Sequence, residues 1–529
     1  MNKILRRANK RISLGGAATL LVAAALLGQG LGFLRTKFVN ANFDILGAQS
    51  TDAYFAAFKI PDFFFFTVAA GALGVAFMPF LADKLEQGDK KAVWKLSSSL
   101  LNLMAIIMAI VGVIILVFAD VLIRYVVAPG LTPEQHDNAV TIMRLVAFNP
   151  LLFTISGILT AVQQSFGRFF FYAMAPLFYN LSIIASIFIF RDNIGLIGLG
   201  IGALAGAVLQ LLVIIFGMHG SGFCYSPKIA WQNKDFRQIL KQLPSRSIDQ
   251  GVDSINSIAE TNFATRLGAG NLSYYENAYI LHAVPIALIG TTISTAAFPR
   301  LTQRLSQGRI DLFERDFLRI LRAMIWFAMP VIVVSYFARG YLARLIFSQG
   351  APVIAAIFGF LVGAIFFRII YSIMSRWFYA QKDTYTPLMV SLFTIALNIF
   401  LAYTLSRPTA YGVTGLAMAQ SIVAGVEVLI LSVIMLARDS RLFNKEFWGG
   451  IIKIVSVTGF SVLTAFIALS FLPLGINDRG FVTLGSKLGA ITLIVFSTHF
   501  AISLLFGLEE TKPILQRAKS FIMKPIRIQ

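Results

Sequence analysis

Charged residues make up only 13% of this sequence, against about 25% in soluble proteins. So few cannot cover a water-facing surface, which excludes a soluble enzyme or a string of soluble domains. The single cysteine, Cys224, has no partner for an intramolecular disulfide, which excludes a disulfide scaffold. Histidine is scarce too: His136, His219, His282 and His499 are scattered without metal-ligand spacing. HExxH, CxxC, GxSxG and the phosphate-binding loop GxxxxGKS/T are all missing. The expected function is therefore non-enzymatic, with no metal and no cofactor. Without a nucleotide site, a primary ATP-driven pump is disfavoured. Transport energy would come from an ion or voltage gradient, or from a partner.

Apolar residues fill the space. Hydrophobic residues reach 57% of the 529, with 48 phenylalanines and a mean hydropathy of +0.76. A disordered chain is excluded. At ~20 residues per span, the apolar runs read as about fourteen transmembrane helices of an all-α polytopic protein. The first follows the basic start MNKILRRANKR, near 12–34; it is too long for a signal-peptide core. The others fall near 53–81, 96–120, 138–163, 169–190, 195–217, 246–267, 274–299, 317–338, 352–376, 385–405, 412–437, 448–472 and 483–507. Spans 2 and 7 contain charges.

The net charge of +20 invites a nucleic-acid partner, but the basic residues sort into alternate loops. Lys84, Lys90, Lys91 and Lys95 fall on one side, as do Lys228, Arg300, Arg304, Arg438 and the basic tail. The opposite loops carry few. Such alternation sets topology, with both termini cytoplasmic and no nucleic-acid partner expected.

The sequence also repeats itself. Met78-Pro79-Phe80-Leu81 and the following Leu85-Glu86-Gln87-Gly88 recur as Phe298-Pro299-Arg300-Leu301 and Leu305-Ser306-Gln307-Gly308. At nearly the same offset, Gly195 and Gly198 recur as Gly412 and Gly415, and Gln164 as Gln381. Asn180 has a near counterpart in Asn398. Six spans separate each pair, so the repeats are parallel. The expected domains are an N-lobe at 1–217, a cytoplasmic linker at 218–234 and a C-lobe at 235–437. Residues 438–529 hold two appended spans and a basic tail.

Polar residues inside apolar spans are costly and point to partners or a cavity. Span 7 places Asp249, Asp253, Asn256 and Glu260 at i, i+4, i+7 and i+11, one face of a helix. That face lines a cavity, couples an ion, or pairs with basic neighbours. In span 2, Lys59 and Asp62 lie one turn apart around Pro61. They read equally as a self-neutralised pair beside a kink or as a cation meeting an anionic group. Arg144, Glu276, His282, Arg368, Arg376 and Glu427 are further intramembrane polar positions.

Several segments resemble one known family. Leu31-Gly32-Phe33-Leu34-Arg35 ends span 1, and Asp52-Ala53-Tyr54 and Phe58-Lys59-Ile60-Pro61 follow in span 2. Ala175-Pro176 with Asn180, the run Phe378 to Thr384 with Pro387, and Gly415-Leu416-Ala417 complete the set. Together they resemble the MurJ/MviN lipid II flippases of the multidrug/oligosaccharidyl-lipid/polysaccharide exporter superfamily. The resemblance implies a bacterial inner-membrane flippase that moves an undecaprenyl-diphosphate-linked peptidoglycan precursor between leaflets by alternating access. Arg35 and Lys59 match cationic cavity positions of the family, and Asp52 an acidic one. The chain departs from the family at Gln29, at Phe65 and Phe66, and near Tyr279 and Ile280, where the pattern has arginines or an Asp-Arg pair.

A diphosphate in a low-dielectric cavity needs cations and donors. Arg35, Lys37, Lys59 and Arg368 would supply the charge, and Gln29, Asn149 and Asn256 the hydrogen bonds. The family's sodium coupling implies a cation site at Asp253 and Asn398, with Asp249 and Glu260 as further candidates. The expected partners are an anionic lipid-linked substrate, membrane lipids and cell-wall synthesis proteins, with the chain a monomer. The rivals are an exporter of another lipid-linked oligosaccharide, a cation-coupled drug exporter, and a non-transporting membrane scaffold.

Overall fold

The computed structural model describes residues 14–70, 77–475, 478–513, 515 and 516. Among them every regular element is helical. Contacts gather the chain into two compact units, Met1–Ser273 and Tyr274–Gln529.

The first unit contains α1 (Leu14–Asn42), α2 (Thr51–Phe64), α3 (Met78–Glu86), α4 (Lys90–Val121), α5 (Pro133–Val146), α6 (Asn149–Ser165), α7 (Phe170–Ile194), α8 (Ile197–Met218) and α9 (Lys234–Arg266). α10 (Asn271–Pro285) starts in the first unit and continues in the second. The second goes on with α11 (Thr292–Ser306), α12 (Ile310–Phe337), α13 (Arg339–Ile346), α14 (Ala351–Ala380), α15 (Tyr385–Leu405), α16 (Val413–Arg438), α17 (Lys445–Phe471) and α18 (Phe481–Leu505).

Eleven of the described helical stretches are long and apolar enough to cross a membrane, and they coincide with expected spans 3 to 6 and 8 to 14. α1, α2 and α9 occupy the remaining three positions. α2 runs only 14 residues before its backbone widens into a π turn at Phe65–Ala70, and α9 carries the acidic row.

In the first unit α7 and α8 pack closely over small residues. A Cβ at Gly202 would lie 2.1 Å from Ser186 Oγ, and one at Gly206 3.0 Å from Tyr179. Small residues allow this approach where no hydrophobic effect drives membrane helices together. The segment between α8 and α9 is strapped across α4. Asn102 Nδ2 donates to Ser226 O at 2.8 Å, Tyr225 OH to Asn102 Oδ1 at 2.7 Å, and the Ala230 amide to Ser99 Oγ at 3.0 Å. Phe223 meets Trp94 edge-on at 5.3 Å, and Trp94 stacks on Phe166 at 5.0 Å. α9 packs on α2 and its π turn, so contacts assign it to the first unit, whereas the sequence repeat aligns it with the head of the C-lobe.

In the second unit α14 packs against α12 and α16, and the appended α17 and α18 attach to α12. Trp326 Nε1 donates to Ser503 Oγ at 2.8 Å, and Ser503 Oγ to His499 O at 2.6 Å. His499 Nδ1 lies 2.9 Å from Ser461 Oγ. Arg322 pairs with Glu510, and with Glu509 at 3.3 Å.

Local backbone conformations recur at the sequence offsets. The π turn at Phe65–Ala70 returns as Ile286–Thr291, after Pro61 and Pro285 respectively. Neither proline interrupts the helical run: the backbone accommodates the ring and widens into the π turn, four residues after Pro61 and directly after Pro285. Gly195 (φ 59°, ψ −135°) and Gly412 (φ 57°, ψ −138°) share a conformation closed to other residues. The Gln164–Gln381 match fails. Gly167 N bonds Gln164 O as α6 ends, and Lys382 N bonds Tyr379 O as α14 ends. The equivalent of Gln164 is therefore Tyr379, two positions before Gln381.

The end of α14 also gives a pH-dependent contact outside the spans. Asp383 accepts from the Thr386 amide at 3.0 Å, from Thr386 Oγ1 at 2.6 Å and from the Arg438 guanidinium at 2.6 Å. Burial pushes its pKa up, but the Thr386 hydrogen bonds and Arg438 outweigh burial and hold it below the ordinary 3.8. A lowered folded-state pKa contributes stability that is present above the unfolded value and lost as pH falls through the folded one. Wild type is therefore expected to lose stability below about pH 4 more steeply than Asp383→Asn. Parallel acid-unfolding curves would refute this.

Candidate functional site

The site starts from a close approach of α9 to the π turn after α2. A Cβ at Gly251 would lie 2.6 Å from Thr67 Oγ1, so glycine is what admits α9 there. Beside this crossing opens a cleft of about 320 Å³, entirely within the first unit. Lys59, Asp62, Phe63 and Phe66 line it from one side, and Asp253, Ser254 and Ser257 from the other. Lys59 Nζ donates to Ser257 Oγ at 2.8 Å. Asp62, Phe66 and Asp253 are exposed. The cleft thus offers one ammonium, two carboxylates, two hydroxyls and two aromatic rings.

Of the expected site residues, Lys59 and Asp253 meet here. Arg35 on α1 is half-buried and lies near Tyr54 and Tyr179. Tyr54 is also near Asp62, which connects Arg35 with the cleft side of α2. No hydrogen bond or ion pair engages Arg35 among the described residues. Gln29 sits exposed on α1. Phe66 lines the cleft, whereas Phe65 packs edge-on against Phe153 at 5.5 Å.

The acidic row of span 7 divides. Asp253 opens to the cleft, while Asn256 and Glu260 are buried, Asn256 Nδ2 donating to Glu260 Oε1 at 3.0 Å. Asp249 lies on α9, but its side chain falls outside the described residues.

Asp52 is engaged in the fold. Its buried carboxylate accepts the Ser273 amide at 2.7 Å, Ser273 Oγ at 2.6 Å and the Gly270 amide at 2.6 Å. It caps the donors at the start of α10, so it is not open to a substrate in this structure. Arg368, expected to meet a headgroup, instead pairs with Glu427 at 3.0 Å. Ser391 Oγ donates to the same carboxylate at 3.0 Å. Asn149 is 3% exposed, and neither amide atom has a partner among the described residues. Asn398 is buried on α15 in the second unit. No group of three or more His, Cys, Asp or Glu that could hold a metal occurs among the described residues.

Sequence reasoning missed Ser257, although it lies one turn from Asp253 on the same face. It also missed Ser273, which carries no signal of its own.

A family model described as "Lipid II flippase MurJ" matches residues 43–479. A probable lipid II flippase MurJ of Rhizobium tropici is 22% identical, over 92% of this chain and 93% of that protein. One from Buchnera aphidicola subsp. Acyrthosiphon pisum is 26% identical, over 84% and 88%. Among solved structures, a lipid II flippase MurJ in an inward closed conformation superposes with a TM-score of 0.75 at 22% identity, covering 91% of this chain and 99% of that one. An inward-facing multidrug resistance MATE transporter of the MOP superfamily gives 0.66 at 17% identity, covering 80% and 98%. These likenesses establish the fold, and the family match across most of the length places the chain in one branch of it: it belongs to the MurJ family.

Proposed function

We propose that this membrane protein is a lipid II flippase, carrying an undecaprenyl-diphosphate-linked peptidoglycan precursor from the inner to the outer leaflet of the bacterial cytoplasmic membrane. The family match across 43–479 carries this reading. Alternating access would expose the substrate site first to one side of the membrane and then to the other. Loop charge puts both termini in the cytoplasm. The chain acts as a monomer beside the cell-wall synthesis proteins that make and use its substrate.

Lys59 meets a phosphate oxygen of the headgroup, and Arg35 adds a second cation from the same unit. Asp62 and Asp253 line the cleft beside Lys59. A co-transported cation such as Na+, driven by its gradient or by the membrane potential, meets the Asp253 carboxylate when the diphosphate enters. The drug-exporter reading is weaker, because the family model that matches across 43–479 is that of a lipid II flippase.

The test is complementation in cells depleted of their own lipid II flippase. Wild type is expected to restore growth, and Lys59→Ala at equal membrane abundance to lose it. Normal growth with Lys59→Ala would remove Lys59 from the mechanism. Failure of a well-inserted wild type in several hosts would refute the proposed substrate.

A further inference from the structure

The cleft beside Gly251 holds one ammonium, Lys59, against two carboxylates, Asp62 and Asp253. That balance allows a phosphate contact at Lys59 and leaves no cation in the lining for a second. Two phenylalanine rings, Phe63 and Phe66, share the wall. A ring face carries the negative side of the aromatic quadrupole, so it does not draw an anion. Most of the lining is therefore built for something other than phosphate.

Its chemistry suits a sugar ring. A pyranose has apolar C–H faces and a rim of hydroxyl groups. The faces pack on aromatic rings, while the hydroxyls donate to carboxylates and bond serine side chains. Phe66 is 44% exposed although it lines a cleft, so its ring is open to a ligand. Phe65, packed edge-on against Phe153, meets it at 5.3 Å and supports it. Asp62 is exposed beside it, and Ser254 lines the facing wall from α9.

Position ties these groups to the phosphate contact. Lys59, Asp62, Phe63 and Phe66 stand at i, i+3, i+4 and i+7, one face of α2 and its π turn, about 10 Å from end to end. In an undecaprenyl-diphosphate precursor the first sugar is joined to phosphorus through a single oxygen. A phosphate held at Lys59 leaves that sugar within reach of Asp62 and Phe66.

Resting on the flippase reading above, we propose that Phe66, Asp62 and Ser254 form a saccharide subsite for the first sugar of the headgroup. Phe66 takes a ring face, and Asp62 and Ser254 take hydroxyls, while Asp253 serves the co-transported cation. The subsite selects the loaded lipid. The bare lipid diphosphate left after the sugar is transferred competes poorly for it.

Native mass spectrometry of the full-length protein in detergent tests this, with undecaprenyl diphosphate and the same lipid carrying a single N-acetylhexosamine as separate probes. Wild type is expected to bind the sugar-bearing lipid at least about tenfold more tightly. Phe66→Ala should bring that ratio close to one, and Ser254→Ala should lower it. Phe66→Trp, which keeps a ring, should retain it. Phe66→Arg replaces the ring by a cation and should favour the bare diphosphate. Lys59→Ala should weaken both lipids alike. Equal binding of the two lipids by wild type, or a preference that survives Phe66→Ala or Ser254→Ala in folded protein, would overturn the subsite. Binding of neither lipid by wild type would instead overturn the flippase reading on which it rests.

Discussion

Asp52→Ala is expected to cost about 3 kcal/mol or more of stability, because one carboxylate holds three donors. Hydrogen bonds to a charged group are worth ~1.5–3 kcal/mol each, and stranding a buried donor costs ~1–3 kcal/mol. The Gly270 amide, the Ser273 amide and Ser273 Oγ all lose their acceptor together. Such terms are not additive, which is why the expectation stays near the lower end of their sum. Asp52→Asn keeps one acceptor oxygen and should lose less. Unfolding of the detergent-solubilised variants measures the difference. A loss under about 1 kcal/mol for Asp52→Ala would mean that water replaces the carboxylate and that the cap is not structural. The start of α10 should also become more open to hydrogen exchange, since its first amides lose their acceptor.

Glu427→Ala is the second large effect. Glu427 is 1% exposed and takes Arg368 and Ser391. Removing one partner of a fully buried pair costs about 3–5 kcal/mol; a quarter of the Arg368 side chain is exposed, so the expected loss is at the lower end, about 3 kcal/mol. Replacing both partners by methionine should recover most of that loss, since an apolar pair of similar volume carries no desolvation cost. The double-mutant cycle separates the readings. If Arg368→Met and Glu427→Met losses simply add, the pair is not coupled and Arg368 is free to serve a headgroup after all. If the double variant is stable yet fails to complement, the pair is needed for transport beyond folding.

How much of this is legible in the sequence depends on the physics behind each feature. Spans with a long apolar run are readable, because burying backbone in lipid demands helices of a known length. α2 and α9 read as spans despite their charges. Lys59 and Asp253 are legible as polar groups that a membrane does not tolerate without purpose. That they meet in one cleft is not, because it depends on Gly251 admitting α9 beside Thr67. Arg368 reads as a substrate cation because its partner, Glu427, lies on a different helix, α16, and periodicity within one helix does not reveal pairing between helices. Asp52 reads as a cavity acid for the same reason, since its donors lie far along the chain, at the start of α10. The repeat is visible in Gly195 and Gly412, where only glycine fits the backbone. Gln164 and Gln381 mislead, because helix ends are set by hydrogen bonds rather than residue identity.

The strap between α8 and α9 has a practical consequence. The chain's only cysteine, Cys224, is exposed and sits on it between Phe223, which packs on Trp94, and Tyr225, which bonds Asn102. A single maleimide dye on the native protein therefore labels one known position, next to an aromatic quencher, without any cysteine being removed or introduced. Its emission reads whether the strap lies on α4 or has lifted, so the protein carries its own reporter of that segment as substrate and ions are added.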